Sequence, residues 1–274
     1  MSLLLNKLLN LLNRYKEMET EYPEFDRPPT RGINYVKANI DMPWARQREV
    51  HLMLDKINPS LGETIADFGC GRGVLTFPLA KAVGPNGKVV ALDNSNEVLK
   101  ELKRKTKGDN IQTKVLSSLQ LPLEDNILDA IVTLASLHHI KDKEFMFKEF
   151  SRVLKKGGRL VVGDVAFNTP VQRYFDNVVD KHCSTGHKHK FLDEKWAQEL
   201  CKKNNLKLIE FSINQVPWIF NNENECKTYI HTIHDIQCTP EQFLEDAKKY
   251  LKCEEEVGKF FLDWQLFYLT AIKE

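Results

Sequence analysis

Apolar residues fall into short runs separated by stretches with helical spacing. The runs are Thr64 to Phe68, Lys88 to Asp93, Ile111 to Leu116, Asp129 to Ala135, Arg159 to Val165, Leu206 to Ile213 and Trp264 to Lys273. Runs of this length, rich in Val, Ile and Leu and bounded by turn formers, predict buried strands. Between them, Val74 to Val83, Asn94 to Lys105, Lys141 to Lys156, Val171 to His182 and Leu192 to Asn204 predict helices. Pro78 sits early in the first of these and kinks it or delays its start. Asn94-x-x-Glu97 reads as a capping box for the second, and Gly157-Gly158 as the stop of the third. Strands alternating with helices predict a mainly parallel sheet.

The flanks differ. Leu4, Leu5, Leu8, Leu11, Leu12 and Tyr15 keep near-helical spacing, so residues 1–15 predict an amphipathic helix. Its asparagines argue against a secretory signal. Packing on the domain is the plain reading, and contact with a membrane surface or lipid substrate the lesser one, because Lys7 and Arg14 are its only cations. Pro23, Pro28, Pro29 and Gly32 make the next stretch irregular, and a helix follows Trp44 and ends near Ile57. The chain divides as one domain: a helical cap over 1–60, a core over 61–166, and a C-terminal half over 167–274 with a helical insertion at 214–263.

Composition narrows the classes. Of 274 residues, 42% are hydrophobic, enough for a sizeable core. A net charge of +1 and the absence of a basic patch argue against nucleic acid. Six cysteines without C-x-x-C spacing suit a reducing cytoplasm. No apolar run is long enough to span a bilayer.

The chemistry starts at Asp67-Phe68-Gly69-Cys70-Gly71-Arg72-Gly73. Strand, glycine turn and helix form the layout of a nucleotide site on a doubly wound sheet. Val74 stands where a dinucleotide fingerprint needs its third glycine, and no G-x-x-x-x-G-K-[ST] occurs. Asp93 ends the second apolar run, where a carboxylate can accept both hydroxyls of a ribose.

Asp67-x-Gly69-x-Gly71-x-Gly73 together with Asp93 resembles the class I S-adenosylmethionine (SAM) methyltransferases. The segment Phe-x-Glu-x-x-Arg-Val-Leu-Lys-Lys-Gly-Gly-Arg-Leu-Val-Val, from Phe147, resembles the small-molecule members, above all the group holding the ubiquinone and menaquinone biosynthesis enzymes. The likeness is close over Glu63 to Asp164 and loose over Glu194 to Phe211. It implies a Rossmann-like α/β fold with a doubly wound seven-stranded sheet, order 3-2-1-4-5-7-6, the last strand antiparallel. It implies SAM as cofactor, with Asp67, Gly69, Cys70 and Gly71 around its methionine part and Asp93 and Asn94 at its ribose. Carbonyls of Ala135 or Ser136 would take the ammonium. Ser117, followed by Ser118, stands where the family usually has an Asp that contacts the adenine amino group, and a serine oxygen accepts that hydrogen bond more weakly. In such families the N-terminal segment often folds over the cofactor, which makes Tyr35, Trp44 and Arg46 candidate lining residues.

His138 and His139 follow the fourth strand, beside the switch point where open α/β sheets bind ligands. One imidazole there can deprotonate an acceptor, while the plain alternative is a helix cap and a passive wall. His182, Cys183, His187 and His189 form one further cluster, and His231, His234, Asp235 and Cys238 another with the spacing of one helical face. Zinc takes such donors, yet neither cluster has the paired spacing of zinc motifs, so no metal is assigned. These features predict methyl transfer from SAM to a small-molecule acceptor. The alternatives are a non-catalytic SAM-binding or scaffold subunit and an arsenite-type methyltransferase. The insertion, with Val216, Trp218, Ile219, Phe220 and Tyr229, reads either as the acceptor-side lid or as a satellite core.

Overall fold

The apolar runs assemble into one seven-stranded sheet flanked by helices. The computed structural model describes residue 34 and residues 37–39, 41–106, 110–183 and 186–274. The helix expected over 1–15, residues 16–33 of the stretch expected to be irregular and Tyr35 lie outside the described residues, whereas residues 34 and 37–39 of that stretch are helical.

Residues 34, 37–39 and 41 are helical, and the first helix described over its whole length, α1, spans Gln47–Ile57 and leads into β1 (Thr64–Phe68). Then come α2 (Thr76–Val83), β2 (Lys88–Asp93), α3 (Asn96–Lys105), β3 (Ile111–Val115), β4 (Leu128–Leu134), α4 (Lys143–Val153) and β5 (Leu154–Asp164). The next helix, α5 (Pro170–Tyr174), continues through a π turn over Phe175–Val179 into Asp180–His182. After α6 (Glu194–Lys203) and β6 (Leu206–Gln215), an insertion holds β7 (Trp218–Phe220), α7 (Glu223–Ile233), α8 (Pro240–Ala247), β8 (Cys253–Glu256) and β9 (Lys259–Leu262). The last strand, β10, is Gln265–Lys273.

Sheet order is β3-β2-β1-β4-β5-β10-β6. With β10 as the seventh core strand, this is the predicted 3-2-1-4-5-7-6. β10 runs antiparallel to both β5 and β6, so β6 keeps the direction of the first five strands. Strand order reverses between β1 and β4, which places the switch point there.

Alternate residues of each strand feed two cores. Ile65, Val89, Ala130, Val132 and Val161 pack beneath α1, α2 and α5. Ala66, Val90, Ile131, Leu160 and Val162 pack beneath α4 and α6. A sheet covered on both faces needs apolar residues at successive positions, which is why these strands read as runs and not as alternations.

Several expectations change. The N-cap of α3 is Ser95, whose hydroxyl accepts the Val98 N–H at 3.3 Å; Asn94 lies one residue outside. α4 stops at Val153, short of the glycines. The reason is tertiary: Leu154 pairs with Leu128 and Arg159 with Ala130, so residues 155–158 bulge out of β5, with Gly157 at φ 78°. The glycines serve that bulge. The insertion is not purely helical, because β7, β9 and β8 form a second, antiparallel sheet. α7 ends at Ile233 and Asp235 adopts φ 55°, so His231, His234, Asp235 and Cys238 do not share a helical face. His231 Nε2 donates instead to the Cys238 carbonyl at 2.7 Å.

Candidate active site

The glycine turn is shaped by close backbone contacts. The N–H groups of Gly69 and Cys70 both donate to the Leu92 carbonyl, at 2.8 and 2.9 Å. Gly69 has φ +70°, and a Cβ there would lie 2.0 Å from Ser136 Oγ. Both the left-handed backbone and the lack of room require glycine. Asp93 closes the turn from below: Oδ2 accepts the Gly71 N–H at 3.0 Å and Oδ1 the Ser95 N–H at 2.9 Å. Asp67 is buried as well and accepts a hydrogen bond from Thr76 Oγ1 at 2.5 Å, which ties β1 to the start of α2. Burial pushes its carboxyl up to about 7; the Thr76 hydrogen bond opposes this and the charge of Asp93 adds to it. Cys70 packs beside Ala91, Leu99 and Leu102.

Two cavities meet at this turn. The larger encloses about 710 Å³ including its mouth, and Gly69, Gly71, Ala135, Ser136, His138 and His139 form its floor. The smaller, about 320 Å³, is lined by Asp93, Asn94 and Leu116. Gly69, Ser136 and His139 border both. Ala135 holds φ 51°, with its N–H donated to the Gly163 carbonyl at 2.7 Å, a conformation that a non-glycine residue adopts only when its surroundings hold it there. Ser117 and Ser118 line a separate depression with Lys114 and Gln120. Asp67 and Cys70 line neither of the two cavities at the turn.

The far wall of the larger cavity comes from three other stretches. Phe175 and His187 enter from the segment after β5, and Trp218, Ile233, His234 and Trp264 from the insertion and its end. Trp218 and Trp264 stack with centroids 4.0 Å apart. Trp218 Nε1 donates to Glu49 Oε1 at 2.6 Å, while Arg46 Nε donates to Glu49 Oε2 at 2.8 Å. Arg46 lines the larger cavity, whereas Trp44 lines neither and is 37% exposed.

The histidines gather more densely than their sequence positions imply. Asp164, at the tip of β5, receives the His138 N–H on Oδ2 at 2.9 Å and His138 Nδ1 on Oδ1 at 2.6 Å. Burial would raise this carboxyl; the charge of and hydrogen bond from His138, with the backbone N–H groups of Val165 and His138, hold it below the usual range. The hydrogen bond to Asp164 fixes the ring with Nδ1 on the carboxylate, so that in the neutral ring the proton sits on Nδ1 and the lone pair on Nε2. The His139 ring lies 4.0 Å from that of His138, centroid to centroid, and is tilted to it by 44°. His187 lies 5.6 Å from His138 and 5.9 Å from His139, and His189 lies 4.1 Å from His187. Sequence spacing kept 138–139 apart from 187–189, and only the fold joins them. Asp164 escaped notice, although it ends an apolar run just as Asp93 does.

Residues 60–224, more than half of the chain, match the family model described as a methyltransferase domain. The chain belongs to that family, of the class I SAM-dependent kind. An uncharacterised 37.1 kDa protein of transposon Tn4556 in Streptomyces fradiae is 35% identical over 47% of this chain and 38% of its own length. A demethylmenaquinone methyltransferase of Lactococcus lactis is 36% identical over 43% of this chain and 50% of its own. The chain thus spans about half the length, or less, of these curated relatives. The structure of geranyl diphosphate C-methyltransferase from Streptomyces coelicolor, with Mg2+, geranyl diphosphate and S-adenosyl-L-homocysteine, superposes with a TM-score of 0.58 at 15% identity. That alignment covers 87% of this chain and 83% of the other, a likeness of fold alone. Among the described residues no helix is long and apolar enough to cross a membrane.

Proposed function

We propose that this chain transfers the methyl group of SAM to a small-molecule acceptor seated in the larger cavity. The observation that carries the reading is the junction of the two cavities at Gly69, Ser136 and His139. The residues at hand fit the cofactor. Gly69 and Gly71 leave backbone room for its methionine part, and the carboxylate of Asp93 stands at the edge of the smaller cavity for the ribose hydroxyls. When bound, SAM supplies an electrophilic methyl group on a sulfonium.

The chain's own task is then alignment, water exclusion and disposal of the acceptor's proton. Trp218, Trp264 and Phe175 give an aromatic wall against which the apolar part of an acceptor packs. Arg46, the cation lining this wall, is already paired with Glu49, which favours an acceptor without strong negative charge. The acceptor's nucleophilic atom loses its proton beside the histidine cluster, which lines the same cavity.

Calorimetry with SAM tests the cofactor half. Wild-type protein should bind, and Asp93→Ala should weaken binding by about 10–100-fold, equivalent to about 1.5–3 kcal/mol for a charge-assisted contact. No binding by the wild type would overturn the reading. Label transfer from [methyl-3H]SAM to a panel of phenols, quinols, thiols and amines then tests the acceptor half.

A further inference from the structure

We infer that His138, His139 and His187 form a binding site for a borderline divalent cation, Zn2+ being the best match, at the inner end of the acceptor cavity. One ring nitrogen from each of these three residues lies within 4.8 Å of the other two. A tetrahedral ion with bonds of about 2.0–2.1 Å holds its nitrogens about 3.4 Å apart, so closure needs side-chain shifts of about 1 Å. The donors are all imidazole nitrogens, a set that suits Zn2+ and its first-row neighbours and not Mg2+ or Ca2+.

Asp164 is the second, independent observation. Metal-binding histidines usually give their other ring N–H to a carboxylate, which fixes the tautomer and strengthens the ligand. His138 does this here, through Nδ1 to a carboxylate that is 2% exposed. His187 is fixed from both sides: its ring stacks on Phe175 at 4.5 Å and its backbone N–H donates to Asp180 Oδ1 at 2.5 Å. His189 packs edge-on against both His187 and His139. The rings are therefore held for a common purpose and come from two separate loops. Three protein ligands and one open position make a catalytic metal site rather than a structural one. All three ligands line the larger cavity, so the open position faces the acceptor.

The role of the cation rests on the methyltransferase reading; its binding does not. A hydroxyl or thiol coordinated at the open position would release its proton to solvent and remain as the anionic nucleophile, with the acceptor's O–H or S–H bond broken and no change in oxidation state. The histidines would then serve as ligands rather than as proton acceptors.

The test uses the full chain, stripped with chelator and titrated with Zn2+ against a chromogenic indicator, without acceptor. One equivalent should bind per chain. His139→Ala and His187→Ala should each weaken binding at least about 100-fold, and Asp164→Asn about 10–100-fold. SAM affinity in His187→Ala and Asp164→Asn should stay within about threefold of wild type, and the circular dichroism and melting transition of His139→Ala should stay cooperative and native-like, which shows that the fold survives. Unchanged Zn2+ affinity in His139→Ala and His187→Ala, or no stoichiometric binding by the wild type, would overturn the site. Should a variant fail to fold, the wild-type Co2+ spectrum decides: intense visible bands of a four-coordinate imidazole site support the proposal, and the pale spectrum of octahedral Co2+ refutes it. Loss of SAM binding with intact metal binding would count against the methyltransferase reading instead.

Discussion

At the scale of single residues, the two carboxylates of the turn do different jobs. Asp93 faces a cavity; Asp67 lies beneath the turn with its carboxyl near 7. That value is above the ordinary 3.8, so between about pH 4 and pH 7 the folded chain retains a proton that the unfolded chain has released. Stability present below this window is therefore lost as the pH rises through it, by at most about 4 kcal/mol from this group. Asp67→Asn removes the titration and can still accept the Thr76 hydroxyl. Urea denaturation at pH 5 and pH 8 should show the wild type losing stability relative to Asp67→Asn at the higher pH. A constant difference between the two proteins would show that Asp67 is ionised throughout. Both carboxylates were legible in the sequence, Asp67 beside the glycines and Asp93 at the end of an apolar run. That only Asp93 lines a cavity was not, because it depends on the hydroxyl of Thr76 reaching back across the turn to Asp67. For the same reason Ser117 and Ser118 took a place by sequence order, whereas the chain after β3 carries them into a different depression.

At the scale of elements, strands were easier to read than helix ends. A strand buried on both faces leaves an apolar run that no neighbour can disguise. The end of α4 is decided by the pairing of β5 with β4, which lies in no local pattern. The insertion mixed two signals, and the structure separates them. Phe220 and Tyr229 are buried and belong to the core continuous with α1 and α5. Trp218 belongs to that core and also lines the larger cavity. The same element thus acts as core and wall. Phe220→Ala should destabilise the protein by about 3–5 kcal/mol while the folded fraction keeps its acceptor KM. Trp218→Phe keeps much of the stacking on Trp264 but loses the hydrogen bond to Glu49. It should raise acceptor KM more than it lowers the melting temperature. An acceptor KM that rises as much in Phe220→Ala as in Trp218→Phe would show that the insertion moves as one lid.

At the scale of the whole molecule, the larger cavity is closed by parts distant in sequence: the start of α1, the tips of β1, β4 and β5, and the insertion. Glu49 joins the first of these to the last. Its side chain is fully buried, accepting Arg46 Nε through one oxygen and Trp218 Nε1 through the other. Arg46 is itself only 5% exposed and its guanidinium lies 5.6 Å from the Trp218 ring. Two charges this deep repay their desolvation only as a pair. Glu49→Gln keeps an acceptor for Trp218 but leaves the Arg46 charge buried without this counter-charge. That variant should lose about 3 kcal/mol, in the range for breaking a buried pair. Arg46→Met combined with Glu49→Gln removes the stranded charge and fills the same space with an apolar chain. The double variant should therefore be more stable than Glu49→Gln alone, with a coupling of about 1–3 kcal/mol in the cycle. Denaturant midpoints of the four proteins measure it. Additive effects would mean that α1 and the insertion are held together by packing on Trp218 and Trp264, with the ion pair contributing nothing to their union.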